Sequence, residues 1–159
     1  MRATALVAAA LFGTTLAAWS PAIHTDDVTS VPLDDQQTEI RASIGADGGP
    51  VTKLTSEARR ADRPTWAGAD LMYSAETPDD RVEIKRIDVG TRKVDQLTDG
   101  ASNESPTVAP NGRHIAFVTT RWGNGEQIAV MSLDGKNVRQ VTFVGNNRYP
   151  SWSASPQGR

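Results

Sequence analysis

His24 and His114 are the only imidazoles in the chain, and cysteine is absent. A structural or catalytic zinc site draws on several closely spaced Cys and His side chains, so no metal site is expected from two isolated histidines. No G-x-S-x-G elbow occurs, so no serine nucleophile of the hydrolase type is presented. The acidic pairs Asp26-Asp27 and Asp34-Asp35 lack the glycine-punctuated D-x-D-x-D-G order that converges oxygens on calcium. Asp79 and Asp80 follow Pro78 in a predicted loop, where two carboxylates are solvated turn residues and nothing nearby would poise one as an acid. Gly48-Gly49 and Gly123-x-Gly125 fall in predicted hairpin loops and not between a strand and a helix, so they read as turns and not as a phosphate cradle. These residues together predict no catalytic residue, no metal and no cofactor.

One pair stands apart. Trp122 follows Arg121 in the loop Arg121-Trp122-Gly123-Asn124-Gly125, with no counterpart elsewhere in the chain. A large aromatic beside an arginine on a loop rim has the composition of a protein-contact anchor. The same tryptophan could instead cover a sheet edge. Arg121 and Trp122 are the candidate binding residues.

The elements that would hold them start after an N-terminal leader. Arg2 precedes an uncharged, mostly apolar run over residues 3–18, and Trp19-Ser20-Pro21-Ala22 closes it with small residues and a breaker. That is the pattern of a secretory signal peptide over residues 1–22, with cleavage after Ala17 or Ala22 both satisfying the small-residue requirement. The run is shorter than the roughly 20 residues that span a bilayer, so no stable membrane span is expected after cleavage. The formal charge is −2, and loss of the leader leaves 16 basic and 19 acidic residues. This balance gives no electrostatic pull on phosphate backbones and excludes nucleic acid as a natural partner. Without cysteines, a chain in an oxidising compartment must be stabilised by packing alone. Residues 23–38, with four aspartates, Pro32 and no hydrophobic period, are expected to be a polar linker.

From residue 39 the chain repeats itself. Ile40, Ile84 and Ile128 stand 44 residues apart. Pro64, Pro106 and Pro150 head the units Arg63-Pro64-Thr65-Trp66, Ser105-Pro106-Thr107-Val108 and Tyr149-Pro150-Ser151-Trp152. Val-x-x-Leu-Thr or Val-x-x-Val-Thr closes each unit at Thr55, Thr98 and Thr142. The recurrence of Trp66 at Trp152 marks both as packing residues. Within the best-preserved unit, short runs rich in β-formers are separated by Asn111-Gly112 and Asp134-Gly135, two-residue combinations able to take positive φ and so the signature of hairpin turns. Four short antiparallel strands at a period of 40 to 45 residues is the pattern of a β-propeller blade.

The submotifs Ser105-Pro106-Thr107-Val108-Ala109-Pro110-Asn111-Gly112-Arg113-His114-Ile115-Ala116-Phe117-Val118, Gln127-Ile128-Ala129-Val130-Met131-Ser132-Leu133-Asp134-Gly135 and Val138-Arg139-Gln140-Val141-Thr142 resemble, in that order, the WD-like repeat of TolB-type propellers. The resemblance implies an all-β fold of antiparallel four-stranded blades. The expected division is the end of a blade at 39–55, full blades at 56–98 and 99–142, and the start of another at 143–159. Two blades and fragments do not close a ring of four to eight, so the expectation is a portion of a longer propeller or a small protein that self-associates through open blade edges. Resemblance to TolB further implies a non-catalytic scaffold in the periplasm or outside the cell, engaging envelope proteins. The alternative is the propeller of an exported peptidase of the dipeptidyl-peptidase or prolyl-oligopeptidase type.

Overall fold

Near-continuous apolar runs such as 71–75 and 115–118 can bury both faces only if each sheet is sandwiched between others. The computed structural model, which describes residues 28–34, 37–43, 51–55 and 59–153, meets that demand with three antiparallel sheets stacked in chain order. The first contains β1 (Val28–Asp34), β2 (Gln37–Ser43) and β3 (Val51–Lys53). The second, blade 1, contains β4 (Ala61–Ala67), β5 (Asp70–Glu76), β6 (Val82–Asp88) and β7 (Val94–Gln96). The third, blade 2, contains β8 (Asn103–Val108), β9 (His114–Thr119), β10 (Gln127–Ser132) and β11 (Arg139–Gln140). Each sheet is a meander whose neighbours in sequence are neighbours in space. β4 lies against β1 and β2, and β8 against β4, β5 and β6.

Strand β1 corrects the expectation of a linker. Val28-Thr29-Ser30-Val31 is a β-branched run apart from one serine, and it pairs in register with β2, Val28 opposite Ala42 and Val31 opposite Glu39. The aspartates that suggested a solvated arm bracket this run. Pro32, which cannot donate to a ladder, is tolerated because β1 is an edge strand and the register shifts between Pro32 and Asp34. The leader at residues 1–22 lies outside the described residues.

Pleating divides each blade into two faces. In blade 1, Leu71, Tyr73, Ala75 and Ile87 pack with Ala61 of β4 and with Leu54, which follows β3. Met72 and Ile84 point the other way and meet Ile115, Phe117, Ala129 and Met131 of blade 2. Leu71, Ile84, Ile115, Phe117, Ala129 and Met131 have no exposed surface.

Pro64 and Pro106 stand 42 residues apart and Pro106 and Pro150 stand 44, and the shorter first interval lies in the turn after β4. β4 and β5 are joined by two residues, Ala67 pairing with Asp70 and Gly68 at φ +66°, the backbone that a glycine-first two-residue hairpin requires. The turn fixes the β4–β5 register, with Trp66 opposite Leu71 and Thr65 opposite Met72. In blade 2, Gly112 donates to the Ala109 carbonyl at 2.8 Å and Gly135 to the Ser132 carbonyl at 3.0 Å. In each pair only the glycine, and neither Asn111 nor Asp134, takes positive φ. Gly135 is also pressed against blade 1: a β-carbon there would stand 2.5 Å from the Leu97 carbonyl oxygen, whereas one on Gly112 would meet open space. Gly135→Ala is therefore expected to destabilise by roughly 2–3 kcal/mol, against about 1 kcal/mol for Gly112→Ala, since only the former adds a backbone clash to left-handed strain. Urea unfolding midpoints of the two variants will show the difference.

Candidate interaction surface

The repeat prolines sit on the first strand of each unit. The residue before each one, Arg63, Ser105 and Tyr149, has φ of 52°, 56° and 55° respectively. Register shifts between Asp62 and Thr65 and between Glu104 and Thr107 show a bulge at this point in both blades. A bulge re-aims the side chain it carries. The Ser105 backbone N–H donates to Ser74 Oγ at 3.0 Å, and the Arg63 guanidinium lies 4.7 Å from the centre of the Tyr149 ring. Tyr149 thus keeps the repeat's backbone shape although residues 141–153 form no strand.

The two repeat tryptophans occupy different surroundings. Trp66 is partly buried against the blade 1 core, and its indole nitrogen has no hydrogen-bond partner. Trp152 is exposed and donates from Nε1 to the Thr107 carbonyl at 3.0 Å. Ile84 is fully buried between blades, while its counterpart Ile128 is half-buried on the outer face of blade 2. Ile40 pairs with Ser30 in the first sheet.

A polar clasp ties the middle of each blade to the chain leaving its last strand. Glu83 and Asn103 are fully buried. Thr98 Oγ1 donates to Glu83 Oε2 at 2.6 Å, Asn103 Nδ2 donates to the same oxygen at 2.9 Å, and the Ile84 N–H donates to Thr98 Oγ1 at 2.9 Å. Each of these positions has its counterpart 44 residues later. Thr142 Oγ1 and Asn147 Nδ2 donate to Gln127 Oε1 at 2.9 and 3.3 Å, and the Ile128 N–H donates to Thr142 Oγ1 at 2.8 Å. The threonine was legible as a repeat marker, whereas the acid or amide and the asparagine emerge only when the 44-residue comparison is extended to polar positions.

The residues with chemical potential are engaged structurally. Asp79 accepts from Thr77 Oγ1 at 2.7 Å and pairs with Arg81, and Asp80 pairs with Arg59 at 2.9 Å in an exposed turn. His114 opens β9 opposite Ser132. Among the described residues no group of three His, Cys, Asp or Glu side chains could hold a metal. Arg86 bridges Asp95 at 2.6 Å and Asp70 at 3.9 Å.

Hydrogen bonds from Thr77, the Thr91 backbone, Arg86 and the Lys136 backbone hold Asp79, Asp88, Asp95 and Asp134, respectively, below the usual aspartate range. Burial raises Asp70, against the pull of Arg86. The four depressed groups contribute stability that is present above their unfolded value, about 3.9, and is lost as pH falls through their folded values. Asp70 works in the opposite direction. Unfolding midpoints should therefore drop below about pH 4; Asp95→Asn should flatten that drop and Asp70→Asn should steepen it.

Arg121 and Trp122 lie in the β9–β10 loop, the guanidinium 6.0 Å from the indole ring, with Trp122 37% exposed. Gly123 and Gly125 turn the loop at φ +72° and +88°. The loop is strapped to the chain leaving β11: Asn124 Nδ2 donates to the Phe143 carbonyl at 3.0 Å, and Gln127 Nε2 to the Gly145 carbonyl at 2.7 Å. Phe143 and Val144 are exposed, so Trp122 shares this end of blade 2 with two further apolar side chains that sequence reasoning passed over.

With three stacked sheets of this order in place, comparison with known proteins decides the family. The TolB beta propeller domain matches residues 36–156. The chain belongs to that family. The Tol-Pal system protein TolB of Thioalkalivibrio sulfidiphilus is 41% identical over 75 residues, covering 46% of this chain and 17% of that protein. A solved TolB structure from Agrobacterium tumefaciens superposes with a TM-score of 0.71 at 24% identity, covering 79% of this chain and 46% of that one. The Pyrococcus horikoshii acylaminoacyl peptidase superposes with a TM-score of 0.53 at 15% identity, covering 73% of this chain and 19% of that chain. The chain therefore spans a minor part of each TolB relative, and its three sheets form an incomplete TolB-type propeller.

Proposed function

We propose that this chain is an exported, non-catalytic β-propeller scaffold that acts in the periplasm or outside the cell by holding envelope proteins. The observation that carries the reading is the TolB propeller match over residues 36–156, joined by relatives named for the Tol-Pal system. The disposition of polar side chains supports it: Glu83, Asn103 and Gln127 serve to clasp the blades, and Asp79 and Asp80 are tied to arginines in a turn. The arrangement suits a rigid carrier of surface loops. Expression with the native leader in a Gram-negative host, followed by osmotic shock and formaldehyde cross-linking, tests the reading. The chain should be shortened at its leader, released by the shock and cross-linked to envelope proteins such as a peptidoglycan-associated lipoprotein. Retention in the cytoplasm, or release with no envelope cross-link, would refute it.

A second reading has a specific observation behind it, the superposition on the acylaminoacyl peptidase. In that case the blades would serve as the propeller of an exported peptidase. A G-x-S-x-G elbow with Asp and His in the genomic sequence following the codon for Arg159 would favour it, and further blades alone would oppose it.

A further inference from the structure

The two blades allow each exposed apolar residue to be judged against a counterpart 44 positions earlier whose neighbours are all in place. Val141 is 51% exposed, but its counterpart Leu97 packs into the core between blades 1 and 2. Val141 thus stands at the position that in blade 1 serves blade stacking. Phe143 and Val144 are different. They are 65% and 83% exposed, and their counterparts Asp99 and Gly100 stay exposed even with blade 2 stacked on blade 1. Propeller packing therefore does not account for an aromatic and a branched aliphatic residue at these two positions. Trp122 is a third such departure, on the loop held to Phe143 by Asn124.

Charge at this patch is one-sided. Arg148 forms a bidentate pair with Glu126. Arg121 takes part in no ion pair among the described residues and lies on the Trp122 ring. Its guanidinium presents the planar fork that receives carboxylates. Aromatic and arginine side chains grouped on a loop are the composition that dominates protein contacts.

We propose that Trp122, Phe143 and Val144, rimmed by Arg121, form a docking surface for an exposed segment of a partner protein carrying an apolar side chain next to a carboxylate. The proposal deepens the scaffold reading and rests on it for the kind of partner. The purified full chain is panned against a displayed library of random dodecamer peptides, with counter-selection on the double variant Phe143→Asp, Val144→Gly. That variant installs the residues blade 1 carries at the same places, so the fold is preserved. Enriched peptides should pair Leu or an aromatic residue with Asp or Glu. A synthetic copy should bind about tenfold or more weakly to Trp122→Ser and to the double variant, nearly normally to Trp122→Phe, and with reduced salt dependence to Arg121→Gln. Failure to enrich any sequence, equal binding to the double variant, or binding only to phosphatidylglycerol vesicles would overturn the proposal. Envelope cross-links that persist in the double variant would sink this surface and leave the scaffold reading standing. Peptide binding without any wild-type envelope cross-link would do the reverse.

Discussion

Phe117→Ala is expected to destabilise the chain by about 3–5 kcal/mol, because it empties the centre of the joint between blades. Phe117 has no exposed surface and packs among Met72, Ile84, Ile115, Ala129 and Met131, residues of both blades. The loss combines the aromatic ring's transfer free energy with a cavity that two sheets, each pinned by its own ladders, relax into only partially. In a stack where each unit touches only its neighbours, the effect should be felt at the joint before it is felt within a blade. Hydrogen exchange should accordingly speed up first at amides of β8 and β9, and the urea midpoint should fall. Phe143→Asp, the same loss of an aromatic ring at an exposed position, should change stability by less than about 0.5 kcal/mol. A Phe117→Ala effect as small as that of Phe143→Asp would mean that the blades are not stacked as described.

The architecture was legible because a blade must present the same residues at the same places to pack on its neighbours. Ile84 and Ile128, Leu97 and Val141, and the three prolines mark that requirement every 42 to 44 residues. β1 was not legible, since its acidic flanks and Pro32 mimic a linker and the strand is secured by pairing with β2, a contact invisible in a local window. The left-handed backbone at Arg63, Ser105 and Tyr149 was equally hidden, because residues before proline ordinarily favour extended conformations. For the proposed docking surface, Arg121 and Trp122 stood out as residues without a repeat counterpart. Phe143 and Val144 did not, because exposure at those positions became informative only when Asp99 and Gly100 were seen to remain exposed beside a stacked blade.

The clasp supplies a reciprocal test, in which the same pair of side chains is exchanged at equivalent positions with opposite expected signs. Gln127 is saturated: its Oε1 accepts from Thr142 and Asn147, and its Nε2 donates to the carbonyls of Asn124 and Gly145 at 3.2 and 2.7 Å. Gln127→Glu would place an acceptor oxygen where a donor now faces two carbonyl oxygens, inside a site with no solvent exposure. Leaving buried acceptors opposed in this way costs about 3 kcal/mol, the upper end for an unsatisfied buried polar group. Glu83 occupies the equivalent place in blade 1, where its Oε1 is buried without a hydrogen-bond partner. The residue 44 positions before Gly145 is Ala101, whose carbonyl is within reach of this network through Asn103. Glu83→Gln would supply the amide donor that blade 2 already has, and is expected to raise stability by about 1 kcal/mol. Urea unfolding of the two variants and of the double exchange decides the matter. Equivalent clasps at separate joints require opposite signs that add in the double variant; equal signs would show that the two blades hold their neighbours by different contacts.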